Sequence, residues 1–306
     1  MWLKRNHKDD ALFYWQQAKH FFDASEKLPK ISSPLTTYYC FLNAIKSLLI
    51  VKEITCADRH GISGKTVAKS VSLSDEEVKF EARGILFALC QYLNEPANNQ
   101  TYTLKELLYN LPYIHRAYSL TFESEQEIFI PISEPCFVHM DGSSKSWFCS
   151  VIKDQRYTNS NTFSEFLTGF EQDCGVNDKF VIRKKKPFCW QEGQQHEVDN
   201  IKRLTNYYHT VRKHLYYIHG TSRLWYIKRS GNTNGLIERS SLTITFAAMH
   251  KLSELARYSP TTLAQHFDSE HNWLLSEFIN TALYQFIDEI SSEITGQEFM
   301  IPGVRL

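Results

Sequence analysis

The chain has 306 residues, 42% of them apolar and 22% charged, which is ordinary globular usage and excludes a disordered or collagen-like protein. Its 34 Lys and Arg balance its 34 Asp and Glu, so no net field draws it toward nucleic acid or a membrane surface. Only 12 glycines and 9 prolines occur, too few for a turn-dense all-β chain, while the length suits two hydrophobic cores.

Residues 9–28 repeat apolar side chains at Leu12, Phe13, Trp15, Ala18, Phe21, Phe22 and Leu28, a helical period that Pro29 would end. Ser33-Pro34 supplies a cap and a first-turn proline for a second helix reaching about Lys52. Asp58 to Lys65, with Gly61 and Gly64, reads as a loop. Ser74 ahead of Asp75-Glu76-Glu77 reads as the capped, acidic start of a helix running to Leu93. A further helix over Leu104–Leu111 stops at Pro112. The first ~115 residues therefore read as all-helical.

The pattern then shifts to short β-like runs at Glu127–Ile132, Cys136–Met140 and Trp147–Ile152, with Asp141-Gly142 as a hairpin turn. Lys179–Arg183 and Leu224–Ile227 extend it. Helical spacing returns over Leu242–Tyr258 and Trp273–Ile294. The expected fold is α+β, a helical bundle formed by the N- and C-terminal helices with a β-rich basic insertion. Residues 1–118 and 240–306 would form the bundle, and 119–239 the insertion. Trp15, Phe22, Tyr39, Leu42, Leu49, Phe246, Leu252, Phe278 and Phe286 are its expected core.

Seven cysteines, the closest two 13 residues apart, leave no C-x-x-C pair for zinc or thiol redox chemistry. The polar start Met1–Lys8 has no signal-peptide character, and no 18-residue uncharged apolar run occurs. A cytoplasmic protein is expected.

Charge is segregated. Lys179–Arg239 holds 13 Lys and Arg against 4 Asp and Glu, while 1–178 and 240–306 are net acidic. Within that stretch Arg183, Lys184, Lys185, Lys186, Lys202, Arg203, Arg212, Lys213, Arg223, Lys228 and Arg229 are interleaved with Trp190, Trp225 and several tyrosines. Cations would neutralise phosphates and aromatics would stack bases. An acidic partner surface, or the acidic helices of the same chain, would suit the cations as well.

Catalytic motifs are sparse. Arg203…His209 and Arg212…His219 have a ribonuclease-like spacing, but chance supplies about that many matches. His209, His214 and His219 recur every five residues, which fits no single helix or strand face for a metal. Neither phosphate-cradling glycine motif nor G-x-S-x-G occurs. Glu77-Val78-Lys79 has the E-x-K of restriction-type nucleases, yet falls on an expected helix, where it reads as a surface pair. No cofactor or metal is expected.

Ser33-Pro34-Leu35 leading into Tyr38-Tyr39-Cys40-Phe41-Leu42-Asn43-Ala44-Ile45-Lys46-Ser47-Leu48-Leu49, then Arg59-His60-Gly61, resembles the YaaC-like family of bacterial proteins. Leu104-Lys105-Glu106-Leu107-Leu108, Asn110-Leu111-Pro112 and Ala256-Arg257-Tyr258-Ser259-Pro260 carry the same resemblance. The tyrosine-rich helix and the His-Gly loop also resemble HEPN bundles. That superfamily includes metal-independent ribonucleases and non-catalytic members of toxin–antitoxin and phage-defence systems. Carried onto this chain, the catalytic role falls on Arg59 and His60, adjacent here rather than four to six residues apart. The plain alternative is that Asp58, Arg59 and His60 brace a helix-connecting loop. The basic stretch points to a nucleic-acid-associated or complex-forming protein, and the resemblance implies a defence or stress system for it. Partners would be nucleic acid or an acidic protein, in a homo-oligomer or hetero-complex.

Overall fold

In the computed structural model the described residues are 1–68, 71–96, 99–158, 167–175, 179–212, 214–218, 224–230 and 233–296. In chain order they form α1 (Trp2–Arg5), α2 (Asp9–Ser25), α3 (Ser33–Val51), β1 (Ile62–Thr66), β2 (Glu76–Phe80), α4 (Ile85–Tyr92), β3 (Thr101–Thr103), α5 (Leu104–Tyr109) and α6 (His115–Thr121). There follow β4 (Phe129–His139), β5 (Lys145–Val151), β6 (Phe170–Gln172), β7 (Val181–Lys184), β8 (Phe188–Cys189), α7 (Glu197–Val211), β9 (Leu215–Ile218) and β10 (Leu224–Lys228). Last come α8 (Ser241–Tyr258), α9 (Pro260–Phe267) and α10 (Asn272–Thr295). The fold is α+β.

Two units divide the chain. The first takes Met1–Gln126 and the described residues from Ile237 onward; the second takes Glu127–Leu236. In the first unit α8 is buried on every side from Ser241 to Ser253, the mark of a central helix rather than an amphipathic surface one. Around it, Tyr38 of α3 stacks on Phe246 of α8 at 5.2 Å, and Phe41 of α3 stacks on Phe286 of α10 at 3.9 Å. Leu42, Leu49, Phe246, Leu252, Phe278 and Phe286 are buried. Trp15, Phe22 and Tyr39 are only half-buried, because α2 packs mainly on α3 and leaves one flank open. By length and composition α3 could cross a membrane, but 12 of its 19 residues are buried within this unit, as in a core helix.

The first unit is not all-helical. A three-stranded antiparallel sheet, ordered β1-β2-β3, lies among its helices. Ile62–Thr66 is a strand where the glycines suggested a loop. Glu76–Phe80 is a strand where Ser74 suggested a helix start. The reason is period: Glu76, Val78 and Phe80 are buried while Glu77 and Lys79 face outward, an alternation of two. Helix α4 begins only after Gly84, whose φ of 100° is open to glycine and strained for other residues. Its Cα lies so close to Gly61 that an added Cβ would stand 2.8 Å from the Gly61 nitrogen. The sequence also hid a capping box, in which Glu106 N donates to Thr103 Oγ1 and Thr103 N to Glu106 Oε2, at 3.1 and 2.8 Å.

The second unit is a seven-stranded antiparallel sheet ordered β6-β7-β5-β4-β10-β9, with β8 also paired to β5. Ile130, Phe148, Phe170, Ile182, Tyr207, Val211 and Ile227 share its core. Tyr207 and Val211 come from α7, an element the sequence reading missed. Its inward positions Asn200, Leu204, Tyr207 and Val211 do carry a helical spacing, but Asn200 heads that stripe as a polar residue. Asn200 is buried because its side chain donates to Gln191 O and accepts from Gln191 N, at 2.7 and 3.0 Å.

Candidate functional site

The cations named from the sequence have different fates in the second unit. Arg183 is spent on Glu171, 2.7 Å away, and on Asp173 at 3.8 Å, and lies over the Trp147 ring. Lys184 donates to the carbonyl and hydroxyl of Thr210, at 2.9 and 2.8 Å, tying β7 to the C-terminal end of α7. Lys185 and Lys186 follow it and are exposed, as is Lys202 on α7. Among the described residues none of these three makes an ion pair. Arg203 donates to Gln191 Oε1 at 3.3 Å, beside Trp190, which is half-buried and edge-on to Phe188. Arg212 ends α7 as its C-cap residue. Lys184, Lys185 and Lys186 therefore run past one end of α7, while Arg203 and Trp190 join its earlier turns.

Lys228 and Arg229 are separate. Lys228 is buried against the rings of Phe129 and Tyr216, and Arg229 lies over Tyr157. Lys213 and Arg223, with His219, lie outside the described residues.

In the first unit, His60 and Arg59 part company. Both are exposed, and the Arg59 and His60 carbonyls accept from Ile85 N and Leu86 N, at 2.8 and 3.1 Å, holding the loop to α4. The His60 ring turns inward, its Nδ1 2.5 Å from the hydroxyl of buried Tyr38. His250 of α8 packs edge-on against Tyr38 at 5.0 Å and lies 6.0 Å from His60 between ring centroids. Burial and the nearby Arg257 push His60 below the ordinary histidine range, and burial with the neighbouring His60 drives His250 down to about 3. Both imidazoles are thus neutral at pH 7, and burial makes the Tyr38 hydroxyl a weaker acid. Beyond His250, Glu254 Oε2 lies 4.0 Å from His250 Nδ1, and burial raises its carboxyl.

At Lys251, the residue after His250 on α8, begins a second polar group that no sequence motif announced. Glu76 of β2 meets Lys251 Nζ at 3.1 Å and His266 Nε2 at 3.4 Å, and accepts from Thr66 Oγ1 at 2.8 Å. Burial disfavours its charge, but the hydrogen bonds from His266, Thr66 and Lys251 prevail and hold it below the usual carboxylate range. Glu77 and Lys79 face the other way, toward Lys65 and Glu81. The E-x-K thus sits on a strand, as nuclease chemistry would need, but is consumed by surface pairs. Among the described residues no group of three or more His, Cys, Asp and Glu side chains is placed to hold a metal ion.

These features define an α+β protein with a basic sheet-and-helix unit and a helix-rich unit built on a polar-lined central helix. The chain belongs to the YaaC-like Protein family, which matches residues 1–294. Comparison with curated proteins and with solved structures gave no match.

Proposed function

We propose that the protein is a cytoplasmic, nucleic-acid-associated member of this family, built as one helical bundle that the β-rich basic unit interrupts, and that the basic unit grips a phosphodiester backbone along α7. The observation that carries this reading is the contrast between two sets of cations. Lys179 and Arg183 are matched by Glu134, Glu171 and Asp173. Lys185, Lys186 and Lys202 stand exposed without an ion pair among the described residues, and unmatched exposed lysines release counterions when they meet phosphates. The test is binding of labelled single-stranded RNA, single-stranded DNA and duplex across a salt series. Replacing all three lysines by alanine should flatten the log–log slope by about two to three, equally for all sequences. An unchanged slope, or binding confined to low salt, would reject the reading in favour of an acidic protein partner. Val198 and Ile201, 81% and 52% exposed on the same helix, would suit such a partner.

A second reading, HEPN-like metal-independent RNA cleavage, is favoured by one observation: the tyrosine-bound His60 beside His250. Neutral, positioned imidazoles serve proton transfer. Arg59 contributes no side-chain contact to that group among the described residues, so Arg257 is the arginine whose charge reaches it. Incubation with a broad RNA panel in chelator, with His60→Ala and His250→Ala as controls, decides it; no cleavage by the unaltered protein ends the enzyme reading.

A further inference from the structure

The two cysteines closest in sequence, Cys136 and Cys149, face each other across β4 and β5. Directly opposed residues on antiparallel strands project to the same face with Cα atoms about 4.5–5.5 Å apart, inside the ~4.4–6.8 Å that a disulfide spans. Their neighbours Phe137 and Phe148 point to the α7 side, where Phe148 shares the core with Tyr207 and Phe137 packs on both rings. Cys136 and Cys149 therefore occupy the opposite face. The same row continues through Arg183 on β7 to Glu171 on β6, so a guanidinium stands next to Cys149.

Access differs between the two thiols. Cys136 is exposed, while Cys149 is 6% exposed. An oxidant in solution therefore meets Cys136 first, while burial raises both thiols, Cys149 to about 11. Just before Cys136 the pairing register shifts, and Glu134 has a φ of 54°. Such a bulge lets the strand adjust locally without unpairing the sheet.

We propose that Cys136 and Cys149 form an oxidisable dithiol that a hydroperoxide converts to a cross-strand disulfide. The Cys136 thiolate attacks the peroxide, forming an S–O bond as the O–O bond breaks; the leaving oxygen takes a proton and departs as water or an alcohol. The Cys149 thiolate then attacks the sulfenic sulfur, forming S–S as S–O breaks, and the second oxygen leaves as water. Two thiols are oxidised and one peroxide is reduced. A disulfide exposed at one of its cysteines, here Cys136, is of the kind that thiols in solution reopen.

The full-length reduced protein is treated with hydrogen peroxide, alkylated, digested and analysed by mass spectrometry. A peptide pair joined through Cys136 and Cys149, released by dithiothreitol, with free thiols reduced by two, is the expected result. Cys149→Ser should stop at a dimedone-trappable sulfenic acid on Cys136, and Cys149→Ala should do the same. Linkage of Cys136 to Cys56, Cys174 or Cys189 instead would overturn the proposal. So would sulfinic acid at Cys136 with no cross-link in the unaltered protein.

Discussion

Glu76 and Lys251 form an ion pair at 3.1 Å with both side chains closed off from solvent, joining a strand to the central helix across 175 residues of sequence. Removing one member strands the other charge in the interior, so Glu76→Ala should cost about 3–5 kcal/mol. Glu76→Leu combined with Lys251→Met should recover much of that loss, since a packed apolar pair can match a buried ion pair. Urea unfolding of the single and the double variant measures it.

His250 and Glu76 should lose their contributions to stability in two different acid ranges. His250 has a folded pKa near 3 against about 6.5 unfolded, so the unfolded chain binds the extra proton between those values. The His250 contribution is complete above pH 6.5 and declines as pH falls toward 3. Glu76, also lowered on folding, adds its loss only below the unfolded carboxylate value of about 4.3. Melting temperatures of His250→Phe should therefore fall less steeply between pH 6.5 and 4.5, whereas Glu76→Gln should change the slope only below that window.

His60→Ala should lower stability as well as any activity, because it leaves the buried Tyr38 hydroxyl without its imidazole partner. A cost of about 1–3 kcal/mol is expected, and Tyr38→Phe/His60→Ala should be less than additive. Arg59→Ala, at an exposed side chain, should change the melting temperature little. Equal losses for Arg59→Ala and His60→Ala would contradict this account of the loop.

The helical core should grade by burial. Phe278→Ala, at a fully buried site, should cost about 3–5 kcal/mol and Leu42→Ala about 2–5. Trp15→Ala and Phe22→Ala, half-buried on the open flank of α2, should cost clearly less. Chemical unfolding of the four variants under one condition provides the ranking.

Arg183→Ala should separate structure from phosphate binding. Its guanidinium is already held by Glu171 and Asp173, so the variant should lose stability while changing the salt slope of nucleic-acid binding by less than one. Lys186→Ala should do the reverse. Salt titration with a melting curve for each variant distinguishes them.

The long helices α2, α3, α8 and α10, and the hairpin turning at Asp141-Gly142, were legible because period and turn chemistry are local. The concentration of cations in the middle of the chain was legible for the same reason. What sequence could not reveal was anything decided by a distant partner. Ser74-Asp75-Glu76-Glu77 has the local signature of a helix start, yet Glu76 is drawn inward by Lys251 and His266, and only a strand turns Glu76, Val78 and Phe80 to one side. Helix α7 was hidden because Asn200, which bonds the Gln191 backbone, occupies a core position. His60 was found through a local motif, but its companions Tyr38 and His250 come from α3 and α8. Nor could the run of lysines say which were already neutralised. Local preferences amount to a few tenths of a kcal/mol per residue, whereas leaving a buried charge unpaired costs several, so where the two conflict the tertiary partner determines the structure.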